Sequence, residues 1–247
     1  MTNNHGEHKK ILIAGCGGHA KSLSDSITAT GQYEICGYTS PLADDSFPYP
    51  CLGEDERFPQ IYESGVRDAA IGIGYMGKGK VRDRVFEQLR KNGFTMPVII
   101  DPSATISTTA TIGEGTFIAK GVLINAYSAI GKMCIINTGA ILEHDAKIGS
   151  FSHVAGGAVL CGEVQVGDHS FIGANATVIQ QVKIGNDVIV GAGSVVLADV
   201  PDGLTVYGVW KGMKDSSLTI AQVKTQTSST AIPTSFSMVL NPKEAVL

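Results

Sequence analysis

The feature that most constrains this chain is a six-residue repeat in its second half. Every sixth residue from Ile100 to Val196 is Ile, Leu or Val, which makes seventeen positions in one register. A second register, which begins at Ala104 and ends at Val200, contains only Ala, Ser, Thr, Cys or Val. Neither an α-helix nor an ordinary strand produces a period of six, because their side chains repeat every 3.6 and 2 residues.

A narrow solenoid explains this period. One aliphatic side chain per hexad points inward, and the small residue two places earlier fits a thin interior. Three hexads form a triangular coil, so seventeen hexads predict a parallel β-helix of between five and six coils, with backbone hydrogen bonds between coils ~4.8 Å apart. A glycine often follows the aliphatic residue, and we expect these glycines to turn the corners at positive φ. They are Gly113, Gly131, Gly149, Gly167, Gly173, Gly185 and Gly191.

Residues 1–98 follow a different pattern, in which apolar runs alternate with amphipathic stretches. We predict strands over 9–15, 33–39 and 68–74, and helices over 19–30, 55–64 and 78–92. Such alternation is typical of a parallel sheet with crossover helices. The predicted organisation is an α/β domain over 1–98, a β-helix over 99–212, and a Ser/Thr-rich tail over 213–247.

Composition excludes several classes of protein. The chain has 247 residues and a net charge of −4, which argues against a nucleic-acid-binding face. No apolar run reaches the ~18 residues of a membrane-spanning helix, and the polar N-terminus predicts no signal peptide. The five cysteines are odd in number and contain no C-x-x-C pair, so we expect reduced thiols in a cytoplasmic protein.

A glycine-rich loop follows the first predicted strand. Gly15, Gly17, Gly18 and His19 belong to a G-x-G-x-x-G/A pattern that ends at Ala20. Such a loop lets the backbone approach a phosphate at a helix N-terminus, although a tight turn without a ligand produces the same pattern. The second strand ends in Thr-Ser rather than in an acid, which argues against NAD and leaves open a phosphate-bearing ligand such as a nucleotide-sugar. His19 is either a polar residue at the helix start or a ligand contact.

Two histidines interrupt the repeat. His144 lies between Glu143 and Asp145, and an imidazole oriented by a carboxylate is a competent general base near neutral pH. His153 lies nine residues further on, which is half a coil, so the two lie on different sides of one β-helix. They can meet only where neighbouring subunits pack side by side. We interpret His169 as a surface residue, and the spacings of nine and sixteen residues among the three histidines predict no metal site.

Four motifs in this order carry a resemblance to a known family: GCGGHAK at 15–21, INTGAILEHD at 136–145, SHVAGGAVLCG at 152–162 and VIVGAGSVV at 188–196. The chain resembles the hexapeptide-repeat bacterial sugar acetyltransferases, over residues 9–208. That family includes N-acetyltransferases of UDP-4-amino-sugars (bacillosamine pathway) and of perosamine, and sialic acid O-acetyltransferases. The resemblance implies a left-handed β-helix, a Rossmann-like nucleotide-sugar-binding domain, acetyl-CoA as co-substrate and a homotrimer.

The resemblance also implies residue roles. His144 matches the general base and Asp145 the acid that orients it. Asn137 and His19, with the glycines of the loop, match positions that bind the sugar substrate. His153 matches a histidine near the acetyl carbonyl of acetyl-CoA. Further positions match, by register, the groove for the pantetheine arm: Gly162, Ala174 and Ala192.

The chain departs from the family at two places. Thr39 and Ser40 stand where family members often have a pair of aspartates near the nucleotide base, and Trp210 stands in the loop that usually covers CoA. The resemblance implies acetyl transfer to a nucleotide-linked 4-amino-sugar in bacterial glycan biosynthesis. Sialic acid O-acetylation uses the same residues and remains an alternative. A non-catalytic β-solenoid, as a scaffold or sensor, is a third hypothesis.

Overall fold

A computed structural model describes residues 9–77 and 79–213 of the chain. It begins with a parallel three-stranded sheet in the order β2-β1-β3, formed by β1 (Lys9–Ala14), β2 (Tyr33–Thr39) and β3 (Asp68–Ile71). Three α-helices connect or follow these strands: α1 (Gly18–Thr30), α2 (Phe58–Glu63) and α3 (Val81–Lys91). A short 3₁₀ helix, Asp55–Arg57, precedes α2. The alternation of strands and helices confirms the predicted Rossmann-like α/β fold.

The second part is a parallel β-helix of about six turns, which confirms the predicted fold class. Its two-residue strands form three sheets, which we call faces I, II and III. Face I contains Ile99–Ile100, Phe117–Ile118, Ile135–Ile136, His153–Val154, Phe171–Ile172, Ile189–Val190 and Thr205–Val206. Face II contains Thr105–Ile106, Leu123–Ile124, Ile141–Leu142, Val159–Leu160, Thr177–Val178, Val195–Val196 and Val209–Trp210. Face III contains Thr111–Ile112, Ala129–Ile130, Lys147–Ile148, Gln165–Val166 and Lys183–Ile184.

The interior of the β-helix follows the predicted registers. The second residue of each strand points inward, as Leu142 and Val154 do with no exposed surface. Small residues two places earlier, such as Ala140 and Ser152, fill the space beside them. Burial of this aliphatic column removes apolar surface from water at roughly 25 cal/mol per Å², which is the main source of stability in such a solenoid.

The expectation about corner glycines was wrong. The residues with positive φ lie three places after each inward aliphatic residue, and most of them are not glycine: Asp145 has φ 58° and His169 has φ 54°. The glycines directly after the aliphatic residues serve close packing between coils instead. A Cβ on Gly149 would lie 2.4 Å from the carbonyl carbon of Gly167 in the next coil. Coil-to-coil contact, rather than turn conformation, therefore selects glycine at those positions.

The α/β domain packs on face I. Five of the seven outward residues of that face are large and apolar. Three of them, Phe117, Ile135 and Phe171, join one apolar cluster with residues of β1 and α1. Face III differs, since its outward positions include Lys147, Gln165 and Lys183. The segment 72–77 leaves the sheet earlier than predicted, because β3 ends at Ile71 and the chain turns to meet the β-helix.

Residues 9–212 lie in one compact unit. The boundaries at 98 and 212 stay predictions, and the predicted tail lies outside the described residues apart from Met213. Trp210 packs against the core of the β-helix, and its Nε1 donates to the carbonyl of Asp199 at 3.1 Å. Within the described ranges, no helix has the length and apolar character that a membrane span requires.

Candidate active site

The predicted glycine loop forms one wall of a pocket of about 450 Å³ in the α/β domain. The loop residues Gly15, Gly17, Gly18 and His19 line it together with the ends of the neighbouring strands. Gly17 precedes α1 as its N-cap, and no side chain from residues 9–77 or 79–213 caps that helix. Free backbone N–H groups at a helix N-terminus favour an anion such as phosphate.

An acid does reach the end of β2, although not from the strand itself. Asp55, at the start of the 3₁₀ helix, accepts a hydrogen bond from Thr39 Oγ1 at 2.8 Å and lines the same pocket. Sequence reasoning missed this carboxylate because it looked only at the end of the second strand. The one sequence signal for Asp55 was the helix start predicted at residue 55. In the fold, this helix start lies beside Thr39 at the end of β2.

His19 lies deep in this pocket with an unpaired ring nitrogen. Its Nε2 is shielded from solvent and has no hydrogen-bond partner among the described residues. The ring packs edge-on against Phe117 of face I, with 5.6 Å between centroids. Burial, reinforced by the nearby charge of Arg82 and by His153, lowers the pKa of His19 to about 3. A neutral histidine with a free nitrogen is suited to a hydrogen bond with a ligand.

Arg82 is a buried cation that sequence analysis did not single out. It is 4% exposed, and it donates hydrogen bonds to the carbonyls of Ile73 and, at 3.0 Å, of Met133. Burial lowers the pKa of Arg82 to about 10, so the guanidinium stays charged at neutral pH. It joins α3 to the end of β3 and to the β-helix.

Each of the two ring nitrogens of His153 makes one hydrogen bond. The ring nitrogen Nδ1 lies 2.5 Å from the carbonyl oxygen of Tyr75, which only accepts, so Nδ1 carries the proton. The other nitrogen, Nε2, then accepts from Asn137 Nδ2 at 3.3 Å. Burial is the largest cause that lowers the pKa of His153 to about 4, so the ring is neutral.

This arrangement limits what His153 does chemically. Its single N–H is already donated to Tyr75, so in this conformation it has no proton to offer an acetyl oxygen. Asn137 retains one amide N–H, because its Oδ1 accepts from the backbone of Thr138 and only one amide proton faces His153. A side-chain donor near His153 therefore comes from Asn137 rather than from the imidazole.

His144 has the opposite environment. Its side chain is 57% exposed, and Nδ1 lies 2.9 Å from Asp145 Oδ2. The hydrogen bond to Asp145 is the largest cause that raises the pKa of His144 above its usual value. Glu143 is occupied elsewhere, since its carboxylate accepts from Asn125 Nδ2 at 2.9 Å. Asp145 is thus the residue that orients the ring, which leaves the lone pair of Nε2 free.

Gly162 lies directly against this imidazole, in the neighbouring coil. A Cβ at position 162 would lie 2.5 Å from His144 Nε2, so any larger residue would displace the ring. Sequence reasoning placed Gly162 near the pantetheine arm of CoA, and that role stays a prediction. The structure adds a local reason for glycine at this position.

The structure divides the predicted residues into two groups. Face I and the corner that follows it carry His153, Asn137, Ala174 and Ala192, with the glycine-loop pocket beside them. His144, Asp145 and Gly162 lie at the corner between faces II and III. The sheet of face II separates the two groups, so one chain does not bring them together.

The interpretation of His169 as a plain surface residue was wrong. Its Nε2 lies 2.6 Å from Asp83 of α3, and its ring stacks on Phe151 with 5.2 Å between centroids. It belongs to the contact between the α/β domain and the β-helix. The five cysteines are free. Across residues 9–77 and 79–213, no three His, Cys, Asp or Glu side chains cluster in a way that could hold a metal ion.

The fold and this site define a hexapeptide-repeat transferase with an N-terminal α/β domain. Two family models match: "PglD N-terminal domain" over residues 10–89 and "Bacterial transferase hexapeptide (six repeats)" over residues 163–198. No curated protein sequence matches the chain significantly.

Solved structures match along most of the chain. GDP-perosamine N-acetyltransferase from Caulobacter crescentus, solved with CoA and GDP-perosamine, is 36% identical with a TM-score of 0.77. That match covers 81% of this chain and 93% of the other. The acetyltransferase domain of PglB from Neisseria gonorrhoeae, solved with acetyl coenzyme A, is 32% identical with a TM-score of 0.74, covering 82% of this chain and 97% of that one. The chain belongs to the hexapeptide-repeat family of acetyl-CoA-dependent bacterial sugar acetyltransferases.

Proposed function

We propose that this enzyme transfers the acetyl group of acetyl-CoA to the amine of a nucleotide-linked 4-amino-sugar, with His144 as general base. The observation that carries the proposal is the His144–Asp145 hydrogen bond of 2.9 Å, which leaves Nε2 exposed and basic. The Caulobacter enzyme, solved with GDP-perosamine and CoA, supports the substrate class. The site residues assigned from the sequence are part of the proposal.

The acceptor enters through the α/β domain. The glycine loop faces the diphosphate, since its backbone N–H groups suit an anion. Asp55, which already accepts from Thr39 Oγ1, offers its second oxygen to a ribose hydroxyl. His19 Nε2, which has no partner within residues 9–77 and 79–213, bonds the sugar near its amine.

The reaction is a direct transfer. The amine attacks the thioester carbonyl carbon, and a tetrahedral intermediate forms with the negative charge on oxygen. His144 Nε2 takes the proton from the nitrogen, the carbon–sulfur bond breaks, and the thiolate of CoA leaves. The imidazolium then gives its proton to the thiolate, directly or through water, which restores the neutral His144. Asp145 stabilises the imidazolium. A backbone N–H or the remaining amide proton of Asn137 stabilises the oxyanion, since the N–H of His153 is occupied.

A homotrimer completes the site. Face II separates the two groups of residues, and five of the seven residues of its outward row are apolar. Leu123 is 42% exposed, and Ile141 and Val159 are partly exposed. An apolar row on a free surface favours burial against another subunit. A cyclic trimer that buries face II brings His144 of one subunit to His153 and Asn137 of the next, with acetyl-CoA in the groove between them. We place this homotrimer in the cytoplasm.

The decisive experiment measures thiol release from acetyl-CoA with a panel of acceptors. The panel contains GDP-, UDP- and dTDP-linked 4-amino-sugars, together with free and CMP-linked sialic acid. We expect turnover on one of the amino-sugars, with product mass increased by one acetyl group. Turnover on sialic acid alone would replace the proposal with O-acetylation. Failure to bind CoA at millimolar concentration would favour a non-catalytic solenoid.

A further inference from the structure

The segment 72–77 links the acceptor pocket to His153 in a way that the proposed reaction does not by itself require. Gly72, Ile73 and Gly74 line the glycine-loop pocket. Tyr75 follows them directly, and its carbonyl oxygen accepts the Nδ1 proton of His153. One short segment therefore touches both the acceptor side and the acetyl side of the candidate site.

Tyr75 is anchored to the β-helix by its own side chain. The residue is 7% exposed, and its phenol donates to the carbonyl of His169 at 2.6 Å. His169 is in turn bonded to Asp83 of α3. This hydroxyl fixes the height of the Tyr75 carbonyl above face I, because the ring spans from the segment to the corner between faces III and I.

Gly77 ends the same segment in close contact with face I. Its φ is 78°, and a Cβ there would lie 2.5 Å from Cγ1 of Ile189. Gly79 also has a positive φ, of 81°, but a Cβ there would have no atom of the described part of the chain within 4 Å. The two glycines thus share a conformation and differ in their contact with the β-helix.

We propose that Tyr75 is a positioning residue that holds His153 in the Nδ1–H tautomer, so that Nε2 faces Asn137 and the N–H of Asn137 is aligned for the acetyl group. The phenol–carbonyl bond to His169 maintains this geometry, and Gly77 permits the approach. Gly72, Ile73 and Gly74 line the acceptor pocket, so the same segment contacts both that pocket and His153. The catalytic consequence rests on the proposed function, whereas the tautomer does not.

The first test observes the tautomer in the ligand-free protein. The chain is labelled with ¹⁵N in histidine only, and the His153 signals are assigned by their loss in His153→Gln. We expect wild type to show one Nδ1–H tautomer and Tyr75→Phe to show a mixture with Nε2–H. Tyr49→Phe is the matched control, because the one hydrogen-bond partner of that phenol among the described residues is the Thr28 hydroxyl, at 3.2 Å, and neither residue belongs to the 72–77 segment. An unchanged tautomer in Tyr75→Phe would overturn the proposal.

The second test compares the two glycines kinetically. We expect Gly77→Ala to lower kcat about 10-fold or more and to alter the His153 tautomer, while Gly79→Ala stays within about 2-fold of wild type. Tyr75→Phe should lower kcat about 5-fold, with the acceptor KM nearly unchanged. Equal losses in both glycine variants would refute the role of the contact. If no acceptor of the panel reacts, the proposed function fails, and the tautomer test still decides the proposal.

Discussion

The corner at His144 and the face at His153 place the same side chain in opposite environments, nine residues apart. At the corner, a neighbouring carboxylate raises the pKa and the ring is exposed. On face I, burial under the α/β domain lowers the pKa to about 4, and both ring nitrogens are bonded. The position on the coil therefore decides whether a histidine is an exposed base or a buried ring that donates from one nitrogen and accepts at the other.

The largest effect is expected from removing the base itself. His144→Ala should lower kcat about 10²- to 10⁴-fold, which is the usual contribution of general base catalysis. CoA affinity, measured by calorimetry, should change little, because the imidazole acts on the proton of the acceptor. A variant with full turnover would remove His144 from the mechanism and would end the contrast between the two histidines.

The buried histidine, His153, should instead make the free energy of unfolding depend on pH. The folded-state pKa of His153 is about 4, below the 6.5 of the unfolded chain, so the unfolded chain binds the extra proton first. Stability is therefore lost as pH falls from about 6.5 toward 4 and changes little from this source below that. Between pH 7 and pH 5 the loss from His153 is roughly 2 kcal/mol. Urea unfolding at the two pH values measures it, and His153→Gln should show a smaller difference between them.

The placement of the two histidines on different sides of the coil was predictable from the sequence, whereas several details of their surroundings were not. Inward and outward positions follow from the six-residue period. The separation of His144 from His153 follows from their spacing of nine residues, which is half of an eighteen-residue coil. The lowered pKa of His153 could not be predicted from this period, because it depends on burial under the α/β domain that packs on face I. The signal was present in the outward row of that face, where Phe117, Ile135 and Phe171 are apolar. Asp55 had only the predicted helix start as a signal, and its position beside Thr39 is set by the sheet topology. Arg82 was missed because its role arises from tertiary contacts without a local pattern.

Gly162, which lies directly against the exposed imidazole of His144, is the next position to change. Gly162→Ala places a methyl group 2.5 Å from the present position of His144 Nε2 and should push the ring away from the acceptor. We expect kcat to fall roughly 10- to 100-fold, since misplacing a catalytic group by about 1 Å has that effect. In a His144→Ala background the same substitution should have no further effect on the rate. A further loss in that background would assign Gly162 to CoA binding instead.

The smallest effect concerns the acid beside the base. Asp145→Asn removes the main cause of the raised pKa of His144, so the acidic limb of the kcat/KM profile should move to lower pH. The rate at its plateau should fall about 10-fold, because the imidazolium loses its carboxylate partner. Glu143→Gln is the matched control, since that carboxylate bonds Asn125 and its charge is the smallest of the causes that raise the pKa of His144, so the limb should move much less. An identical shift in both variants would contradict the assignment of Asp145.

The coil of eighteen residues, seen where Ile135 pairs with His153 and His153 with Phe171, also bears on how such an enzyme changes over evolutionary time. Between Asp145 and His153, an insertion of one hexad would carry His153 to another face and away from the α/β domain. An insertion of eighteen residues would return it to face I, displaced by one coil, or ~4.8 Å. Insertions between His144 and His153 are therefore tolerated only in multiples of eighteen residues. Relatives that keep both histidines on their present faces should differ in this region by whole coils.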